Sequence, residues 1–332
     1  MQSNMNSVHK TVLLNETIDG LNLNAKSVVV DATFGGGGHS VEICRRYQEV
    51  KIIAFDQDKS VFEKAKSKFE KLDCDVTFIN ANFRDIDKVL KEKVDAIIFD
   101  LGLSSDQLEN SGRGFSFLKD EPLIMQMKNG AEGNLSGEDL TAEDIVNTWS
   151  EKSLSDIIYG YGEEKFSRRI AKAIVDTREQ REIKTTFELV EVIRNAVPAR
   201  FAIASARRAV YRRGHAKGRA SNLHFATRTF QALRIAVNDE LGALSLGLQK
   251  GFDALKVPAR PHDGSGAGGG GRMAVISFHS LEDRVTKKFF KDKEKHGQVK
   301  LINKKPIIAG TEELKSNNRA RSAKLRIIEK LK

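Results

Sequence analysis

The stretch that decides the fold reads Val28-Val29-Val30-Asp31-Ala32-Thr33-Phe34-Gly35-Gly36-Gly37-Gly38-His39-Ser40-Val41. Its three β-branched valines predict a short buried strand of a parallel sheet. The strand ends at Asp31, and the four glycines predict a tight turn. His39 or Ser40 is then expected to cap the following helix. Ligands of doubly wound sheets bind at the carboxyl ends of the strands, so this turn predicts a ligand pocket.

Runs of β-branched and aromatic residues recur along the chain and alternate with helical patterns. This alternation predicts an α/β fold with a doubly wound parallel sheet. The predicted strands are Lys26–Asp31, Lys51–Asp56, Val76–Asn80, Val94–Asp100 and Arg272–Phe278.

The connection between the fourth and fifth predicted strands has about 170 residues, too many for one crossover. Its patterns are helical, so we predict an inserted small helical domain for substrate recognition. The predicted boundaries are 1–110 and 225–332 for the two parts of the sheet domain and 111–224 for the insert. A helix from Thr229 is expected to return the chain to the sheet through Leu241 and Leu248. Gly264–Gly271 is interpreted as a flexible linker. It is not a P-loop, because it lacks the lysine followed by serine or threonine that a P-loop requires.

The charge balance favours a polyanionic partner. The sequence has 55 Lys and Arg against 45 Asp and Glu, a net charge of +10, which indicates nucleic acid. No apolar run is as long as a membrane span, and the first ten residues lack the apolar core of a signal peptide. The two cysteines, Cys44 and Cys74, predict neither a disulfide framework nor a metal site. These features predict a cytoplasmic protein.

Basic residues concentrate in the insert. Over a predicted helix Glu163–Thr177, a basic face is formed by Lys165, Arg168, Arg169 and Lys172. This face either contacts RNA phosphates or is simply solvated. Arg200–Arg219 carries many arginines and no acid, which favours an arm that contacts RNA.

Three observations identify the ligand of the glycine turn. A dinucleotide site requires G-x-G-x-x-G, and here the third position falls on Ser40 or Val41. Asp56, at the end of the second strand, suits ribose hydroxyls of NAD or of S-adenosylmethionine. Asp31 would repel a diphosphate but suits a cationic ligand. We therefore predict S-adenosylmethionine, with an NAD-dependent enzyme as the alternative. Phe83, after the third strand, either flanks adenine or belongs to the core.

Six ordered motifs resemble the bacterial small-subunit ribosomal RNA methyltransferase H family, over about Val8 to Ile328. The motifs are Asp31–Ser40, Asp100-Leu-Gly-Leu-Ser104-Ser105-Asp-Gln107-Leu, Gly112-Arg113-Gly114-Phe-Ser-Phe117, Ala226-Thr-Arg228-Thr-Phe-Gln-Ala-Leu-Arg234, Ser277-Phe-His279-Ser-Leu-Glu-Asp-Arg284 and Asn318-Arg319-Ala-Arg321-Ser322. The resemblance implies a Rossmann-like class I methyltransferase that methylates the exocyclic N4 amine of a cytidine in the decoding centre of 16S ribosomal RNA. It places Gly37, Gly38, His39, Asp56, Phe83, Asp100 and Gln107 at cofactor positions, beside Asp31 and Gly35.

The sequence departs from the family in the stretch Asp120–Met127. The family usually has D-G-P-L-D-M-R-M there, so an acid and an arginine are missing. Phe225 also replaces a usual proline. These departures motivate a second hypothesis, a catalytically impaired methyltransferase-like protein that binds RNA or assists ribosome assembly.

The chemistry requires a group that accepts a proton from the amine. Asp100, at the end of the fourth strand, either does this or contacts the cofactor, and Ser104 and Ser105 are expected to orient the base. Methylation of a ring carbon would require a cysteine nucleophile near this loop, and neither cysteine fits. His279 faces the same crevice and is a further catalytic candidate, and we predict no metal.

The predicted RNA contacts extend beyond the basic face of the insert. They include Arg113 and Arg228 from the motifs, and a basic C-terminal group in which Arg319 and Arg321 are joined by Lys324 and Arg326. The expected partner is small-subunit ribosomal RNA or the assembled small subunit, with no membrane, and a homodimer is allowed.

Overall fold

The computed structural model describes residues 10–128, 139–199, 224–258 and 269–332. The chain divides into two compact units. Unit 1 comprises Met1–Ser104 and Leu241–Lys332, and unit 2 comprises Ser105–Glu240. The units therefore meet along the chain at Ser104/Ser105 and Glu240/Leu241, which differs from the predicted boundaries after 110 and 224.

Unit 1 is built on one mixed sheet, which has seven strands within the described residues, in the order β3-β2-β1-β4-β5-β7-β6. The strands are β1 Val28–Asp31, β2 Lys51–Asp56, β3 Asp75–Asn80, β4 Ala96–Asp100, β5 Arg272–Ser277, β6 Val299–Leu301 and β7 Lys324–Lys330. Strands β1 to β5 pair in parallel, and β7 runs antiparallel to both β5 and β6. The predicted doubly wound fold is confirmed.

The helices within the described residues, in chain order, are α1 Leu14–Leu21, α2 Gly38–Arg46, α3 Ser60–Glu70, α4 Ile86–Val89, α5 Ser105–Asn110, α6 Ala142–Thr148, α7 Glu151–Gly160, α8 Ser167–Arg178, α9 Thr186–Ala196, α10 Thr227–Asn238, α11 Glu240–Ala254, α12 Ser280–Lys295 and α13 Thr311–Ser316. Short 3-10 helices span Phe83–Asp85 and Asn318–Ser322.

Alternate residues of the parallel strands enter two hydrophobic cores, one on each face of the sheet. On one face Val29 and Ile98 pack with α1, α2 and α3 through residues such as Ile43. On the other face Val30 and Phe99 pack with α11 and α12. Continuous apolar strands are expected when both faces of a parallel sheet are covered. The polar ends of these strands are thereby left at the sheet edge.

Unit 2 is helical over α5 to α10, as the sequence pattern predicts. Thr141 and Thr185 begin α6 and α9 with reciprocal capping bonds to Asp144 and Glu188. Helix α10 belongs to this unit and contacts α6 and α7. Its place here is what moves the unit boundary from the predicted 224 to Glu240.

Three predicted helix boundaries differ from the structure. Neither His39 nor Ser40 caps α2: Gly37 holds the cap position, and the Ser40 hydroxyl donates to Asp31. Helix α8 begins at Ser167, so Lys165 lies before the helix and outside its basic face. The helix predicted from Thr229 is broken at Asp239, whose φ is 46°. A left-handed residue ends a helix, so α10 and α11 are separate.

Strands β6 and β7 were missed by the sequence analysis. Strand β6 has only three residues, and β7 mixes charged residues with its apolar ones. One of them, Arg326, is only 8% exposed because it forms an ion pair with Asp283. A charged side chain can occupy a core strand when it is paired, which a hydrophobicity pattern does not reveal.

The expectation that the cysteines form no disulfide is wrong. Cys44 on α2 and Cys74 in the turn before β3 are bonded, with their Cα atoms 5.8 Å apart. Two cysteines 30 residues apart carry no spacing signal. They meet because α2 runs back across the sheet and ends near the start of β3.

The predicted arm Arg200–Arg219 lies outside the described residues, as does Gly264–Gly268 of the predicted linker. The last residue of that linker, Gly271, is ordered by the sheet. Its amide donates to the Lys256 carbonyl, and its carbonyl accepts from the Lys330 amide. This end of the linker is therefore part of the fold.

Candidate active site

The candidate site of unit 1 lies where the parallel strands end. Asp31, Asp56 and Asp100 are the last residues of β1, β2 and β4. Because β1 pairs with both β2 and β4, these three carboxylates lie at one edge of the sheet. Such an edge is the usual ligand site of a doubly wound fold.

The glycine loop after β1 requires residues without a Cβ. Gly35 and Gly37 have φ values of 51° and 71°. A Cβ on Gly37 would lie 2.6 Å from the Phe34 ring, and one on Gly38 would overlap the Thr11 side chain. The ring is in turn held among Phe62, Phe69 and Phe78. An anchored aromatic residue thus fixes the conformation of the loop, and Phe34 and Thr11 fill the space that a Cβ would need.

Asp31 is buried, and its partners are local. The Ser40 hydroxyl donates to Asp31 Oδ2 at 2.6 Å, and the Thr33 amide donates to Oδ1 at 3.3 Å. Burial raises the pKa of this carboxyl, against the hydrogen bond from Ser40. Asp31 therefore joins β1 to the first turn of α2.

Asp56 holds the glycine loop against the end of β2. Its Oδ2 accepts from the Gly35 amide at 2.8 Å, and its Oδ1 accepts from the Asp58 amide at 2.9 Å. Burial raises the pKa of Asp56 to about 6, although both hydrogen bonds act in the opposite direction. A carboxylate has further lone pairs, so it can still accept from the hydroxyl groups of a ribose.

Asp100 and His39 form a close polar pair. The Nε2 atom of His39 lies 3.5 Å from Oδ2 of Asp100, and the side chains are 3% and 24% exposed. Both ring nitrogens of His39, and Oδ1 of Asp100, are buried without a hydrogen-bond partner among the described residues. The Asp100 amide donates to Thr33 Oγ1 at 2.6 Å. Thr33 is a contributor that the sequence analysis missed, although a threonine just after the strand was the available signal.

The residues that follow β4 are divided between the units. Ser104 lies beside the glycine loop, since a Cβ on Gly35 would be 3.8 Å from Ser104 Cβ. Ser105 and Gln107 belong to α5 in unit 2. In that unit the Gln107 carbonyl accepts from the Ser111 hydroxyl. The structure thus brings Ser104 to the candidate site within unit 1.

Asn82 and Phe83 follow β3. The Asn82 side chain accepts from the Arg84 amide and donates to Gln57 Oε1 at 3.1 Å. The Phe83 ring stacks edge-on against Phe99, with centroids 5.4 Å apart, and it contacts α11 at Gly247. One side of the Phe83 ring therefore packs in the core. The side chain is still partly exposed, so a ligand can contact it.

His279 caps a helix at the end of β5. Its Nδ1 accepts from the Glu282 amide at 3.5 Å, while Glu282 Oε2 accepts from the His279 amide at 3.1 Å. This reciprocal arrangement begins α12. The geometry gives His279 a structural role at the same edge as Asp100.

The predicted RNA-binding residues of unit 2 are partly engaged in contacts within that unit. Arg113 donates to the carbonyls of Gln126 and Met127, and Arg228 donates to the Glu163 carbonyl. On α8, Arg168 and Arg169 are exposed, and neither forms an ion pair with another of the described residues. Lys172 is paired with Asp176 at 2.9 Å. Lys165 is exposed just before α8.

The predicted basic group at the C-terminus is divided. Arg319 and Arg321 lie in the 3-10 helix Asn318–Ser322, and Arg321 is exposed. Lys324 and Arg326 instead pair with Asp283 at 3.1 and 2.7 Å. Partial burial of Asp283 opposes ionisation, but hydrogen bonds from both cations hold its pKa below the usual range. The buried Arg326 is therefore a structural residue, and its predicted phosphate contact is wrong.

A doubly wound sheet, a tight glycine loop after β1 and an acid at the end of β2 are the features of a Rossmann-like fold that holds a nucleoside-containing cofactor at the carboxyl ends of its strands. The sequence profile of the MraW methylase family matches residues 6–331. The chain belongs to this family of methylases, and its cofactor is S-adenosylmethionine. The predicted cofactor is confirmed.

Solved structures similar to this chain share little sequence with it. An rRNA methylase from Streptococcus thermophilus is 12% identical with a TM-score of 0.42, and the alignment covers 98% of this chain and 100% of that one. SMU.1697c from Streptococcus mutans, in complex with SAH, is 14% identical with a TM-score of 0.40, at 98% and 100% coverage. An O-methyltransferase from Thermotoga maritima is 11% identical with a TM-score of 0.39, at 99% and 69% coverage.

Proposed function

We propose that the protein methylates the exocyclic N4 amine of a cytidine in the decoding centre of small-subunit ribosomal RNA. The methylase family and the six sequence motifs support this proposal. S-adenosylmethionine, when bound, supplies a methyl group activated by a positively charged sulfur. The protein must hold that group in line with the amine and remove the proton that the amine releases.

The residues at the sheet edge suit this cofactor. Gly35, Gly37 and Gly38 form the tight loop that is proposed to hold the cofactor at the end of β1, and Asp56 can accept from ribose hydroxyls. Three carboxylates at one edge favour a cationic ligand over a diphosphate. Phe83 is proposed to contact the adenine, and the family motif makes Gln107 a further proposed cofactor residue. His39 and Asp100, with their unpaired buried atoms, supply polar groups for the reacting end.

The positions of the two cysteines favour methylation of the exocyclic amine over methylation of a ring carbon. The sequence contains two cysteines, and Cys44 and Cys74 are bonded to each other. Cys74 precedes β3, so this pair lies at the amino edge of the strands, whereas Asp100 lies at the carboxyl edge. Methylation of a ring carbon requires a thiolate beside the base. Methylation of an amine instead requires a proton acceptor, which the Asp100 carboxylate can be. Ser104 and Ser105 are proposed to orient the base.

Recognition of RNA is proposed to use cations of each unit. Arg168, Arg169 and Lys165 in unit 2 and Arg319 and Arg321 in unit 1 suit phosphates. Of these, Arg319 is half-buried and the others are exposed. Arg113 and Arg228 are proposed to act beside the RNA while they hold their own loops. Among the described residues, no helix has the length and apolar character that crossing a bilayer requires. We propose a cytoplasmic protein that acts on the small subunit.

The experiment is transfer of isotope-labelled methyl groups to small subunits from a strain that lacks this protein. Digestion of the product RNA to nucleosides should yield N4-methylcytidine, which mass spectrometry with a reference nucleoside separates from 5-methylcytidine. Asp100→Asn, which keeps the size of the side chain, should bind the cofactor and abolish most of the transfer.

A second candidate function, RNA binding without turnover, is motivated by the altered stretch Asp120–Met127. In unit 2 this stretch is well packed. Leu123 and Met125 are buried, and Gln126 donates to the carbonyls of Asp139 and Leu140. The neutral amide of Gln126 thus bonds to these carbonyls at the position where the family usually has an arginine. Binding of small subunits without any methyl transfer would favour this second function.

A further inference from the structure

The ring nitrogens of His39, next to Asp100, are buried and lack hydrogen-bond partners among the described residues. A neutral imidazole always carries one N–H, and a protonated one carries two. A buried donor without a partner is costly, so it is retained where it has a use.

The nearest acceptor for this donor is Asp100. Nε2 of His39 is 3.5 Å from Oδ2 of Asp100. Catalytic hydrogen bonds are often long in the ligand-free protein and shorten when the ligands bind. Asp31 is the other acid whose charge interacts with the imidazole, but its carboxylate already accepts from Ser40 and Thr33. Within the part of the chain that the structure describes, the buried Oδ1 of Asp100 has no such partner.

We propose that His39 is a positioning residue that fixes the rotamer of the Asp100 carboxylate through an Nε2–H bond to Oδ2. This inference rests on the proposed function. The backbone of Asp100 is already held by Thr33 Oγ1, so a bond from His39 would leave the side chain with one orientation. Thr33, in the loop after β1, and His39, in the first turn of α2, would then together fix the position of the Asp100 carboxylate.

The fixed carboxylate receives the proton of the amine. With the cofactor bound, the amine nitrogen would take the methyl group as its bond to the sulfonium sulfur breaks, leaving the electron pair on sulfur. One N–H bond of the amine would break, and its proton would form an O–H bond with Asp100. His39 keeps its own proton throughout and stabilises the remaining oxygen. The imidazole therefore acts through Asp100 and does not touch the base.

Two substitutions separate positioning from packing. In His39→Gln, the amide N–H₂ reaches a position close to that of Nε2 and can still donate to Asp100. His39→Leu has a similar volume and no donor. A misplacement of about 1 Å in a catalytic group costs roughly 100-fold in rate. We expect His39→Leu to lose kcat by about that factor, while His39→Gln keeps at least about a tenth of the parental kcat. Equal kcat values in the two folded variants would overturn the inference.

A second readout does not depend on turnover. The ¹⁵N resonances of the His39 ring, recorded in the protein without cofactor, should shift in Asp100→Asn. Asp95→Asn is the matched control, because Asp95 precedes the same strand at its opposite end and bonds to Val28 and Lys256. Ring resonances that respond equally to both variants, or to neither, would overturn the pairing. If the parent protein methylates no RNA, the proposed function fails, and the resonances still decide whether His39 holds Asp100.

Discussion

Asp56 should make the stability of the protein depend on pH in a defined direction. Its pKa is about 6 in the folded protein, against about 3.9 in an unfolded chain. The folded state therefore holds this proton more tightly, and its contribution to stability is complete below pH 4 and lost as the pH rises through 6. At 1.36 kcal/mol for each pKa unit, the contribution is at most about 3 kcal/mol. Asp56→Asn removes the titration while keeping the size of the side chain.

Denaturant unfolding of the parent and of Asp56→Asn, between pH 4 and pH 8, measures this contribution. The free energy of unfolding of the parent, relative to that of the variant, should fall by up to about 3 kcal/mol across this range. Other carboxyl groups titrate in both proteins and cancel in the difference. A difference that stays constant from pH 4 to pH 8 would refute the burial of this charge.

The same group should give cofactor binding the opposite dependence on pH. Hydroxyl donors of a ribose favour the ionised carboxylate, so the affinity for S-adenosylmethionine should increase as the pH rises through about 6. Calorimetry should show this increase in the parent and not in Asp56→Asn. The variant should also bind more weakly by roughly 1–3 kcal/mol at pH 8, because a charge-assisted bond is lost. Equal affinities in the two proteins would refute the ribose contact.

Further predictions concern the disulfide, the glycine loop and α8. Replacing Cys44 and Cys74 with serine opens a loop with a sequence separation of 30, which should lower the free energy of unfolding by about 3–4 kcal/mol while the folded enzyme stays active. Loss of turnover in that folded variant would contradict amine chemistry. Gly37→Ala should destabilise by about 2 kcal/mol, since φ is 71° and Phe34 obstructs the Cβ, whereas the control Gly160→Ala meets no atom within 4 Å and should not. Equal stability of the two variants would count against the tight loop. Replacing Arg168 and Arg169 with glutamine should reduce the salt slope of RNA binding by about 1.4, and glutamine at the paired Lys152 and Lys172 should change it less. A slope equal to that of the parent would remove α8 from the RNA surface.

The strands that form the site could be predicted from the sequence, because their apolar runs end in acids. Asp31, Asp56 and Asp100 follow from this pattern, and parallel pairing brings them to one edge. The pairing of His39 with Asp100 does not follow. It depends on how α2 leaves the glycine loop, where Phe34 packs among three other rings.

Three other features could not be predicted from the sequence, each for its own reason. In the sequence Arg326 has the character of a phosphate-binding residue. In the structure it lies in β7 and forms an ion pair with Asp283 of α12. The bond between Cys44 and Cys74 depends on the return of α2 across the sheet. The break between α10 and α11 depends on one left-handed residue, Asp239, in a continuous apolar pattern. The ion pair and the disulfide depend on tertiary contacts that local sequence does not encode.

The most direct test of the account is the identity of the methylated nucleoside. Purified protein, labelled S-adenosylmethionine and small subunits that lack the mark should yield labelled N4-methylcytidine at one decoding-centre position, located by nuclease protection and mass spectrometry. The yield should fall by at least about 100-fold in Asp100→Asn, since a general base contributes 10²–10⁴-fold. Labelled 5-methylcytidine, or equal N4-methylation by the parent and Asp100→Asn, would contradict the account.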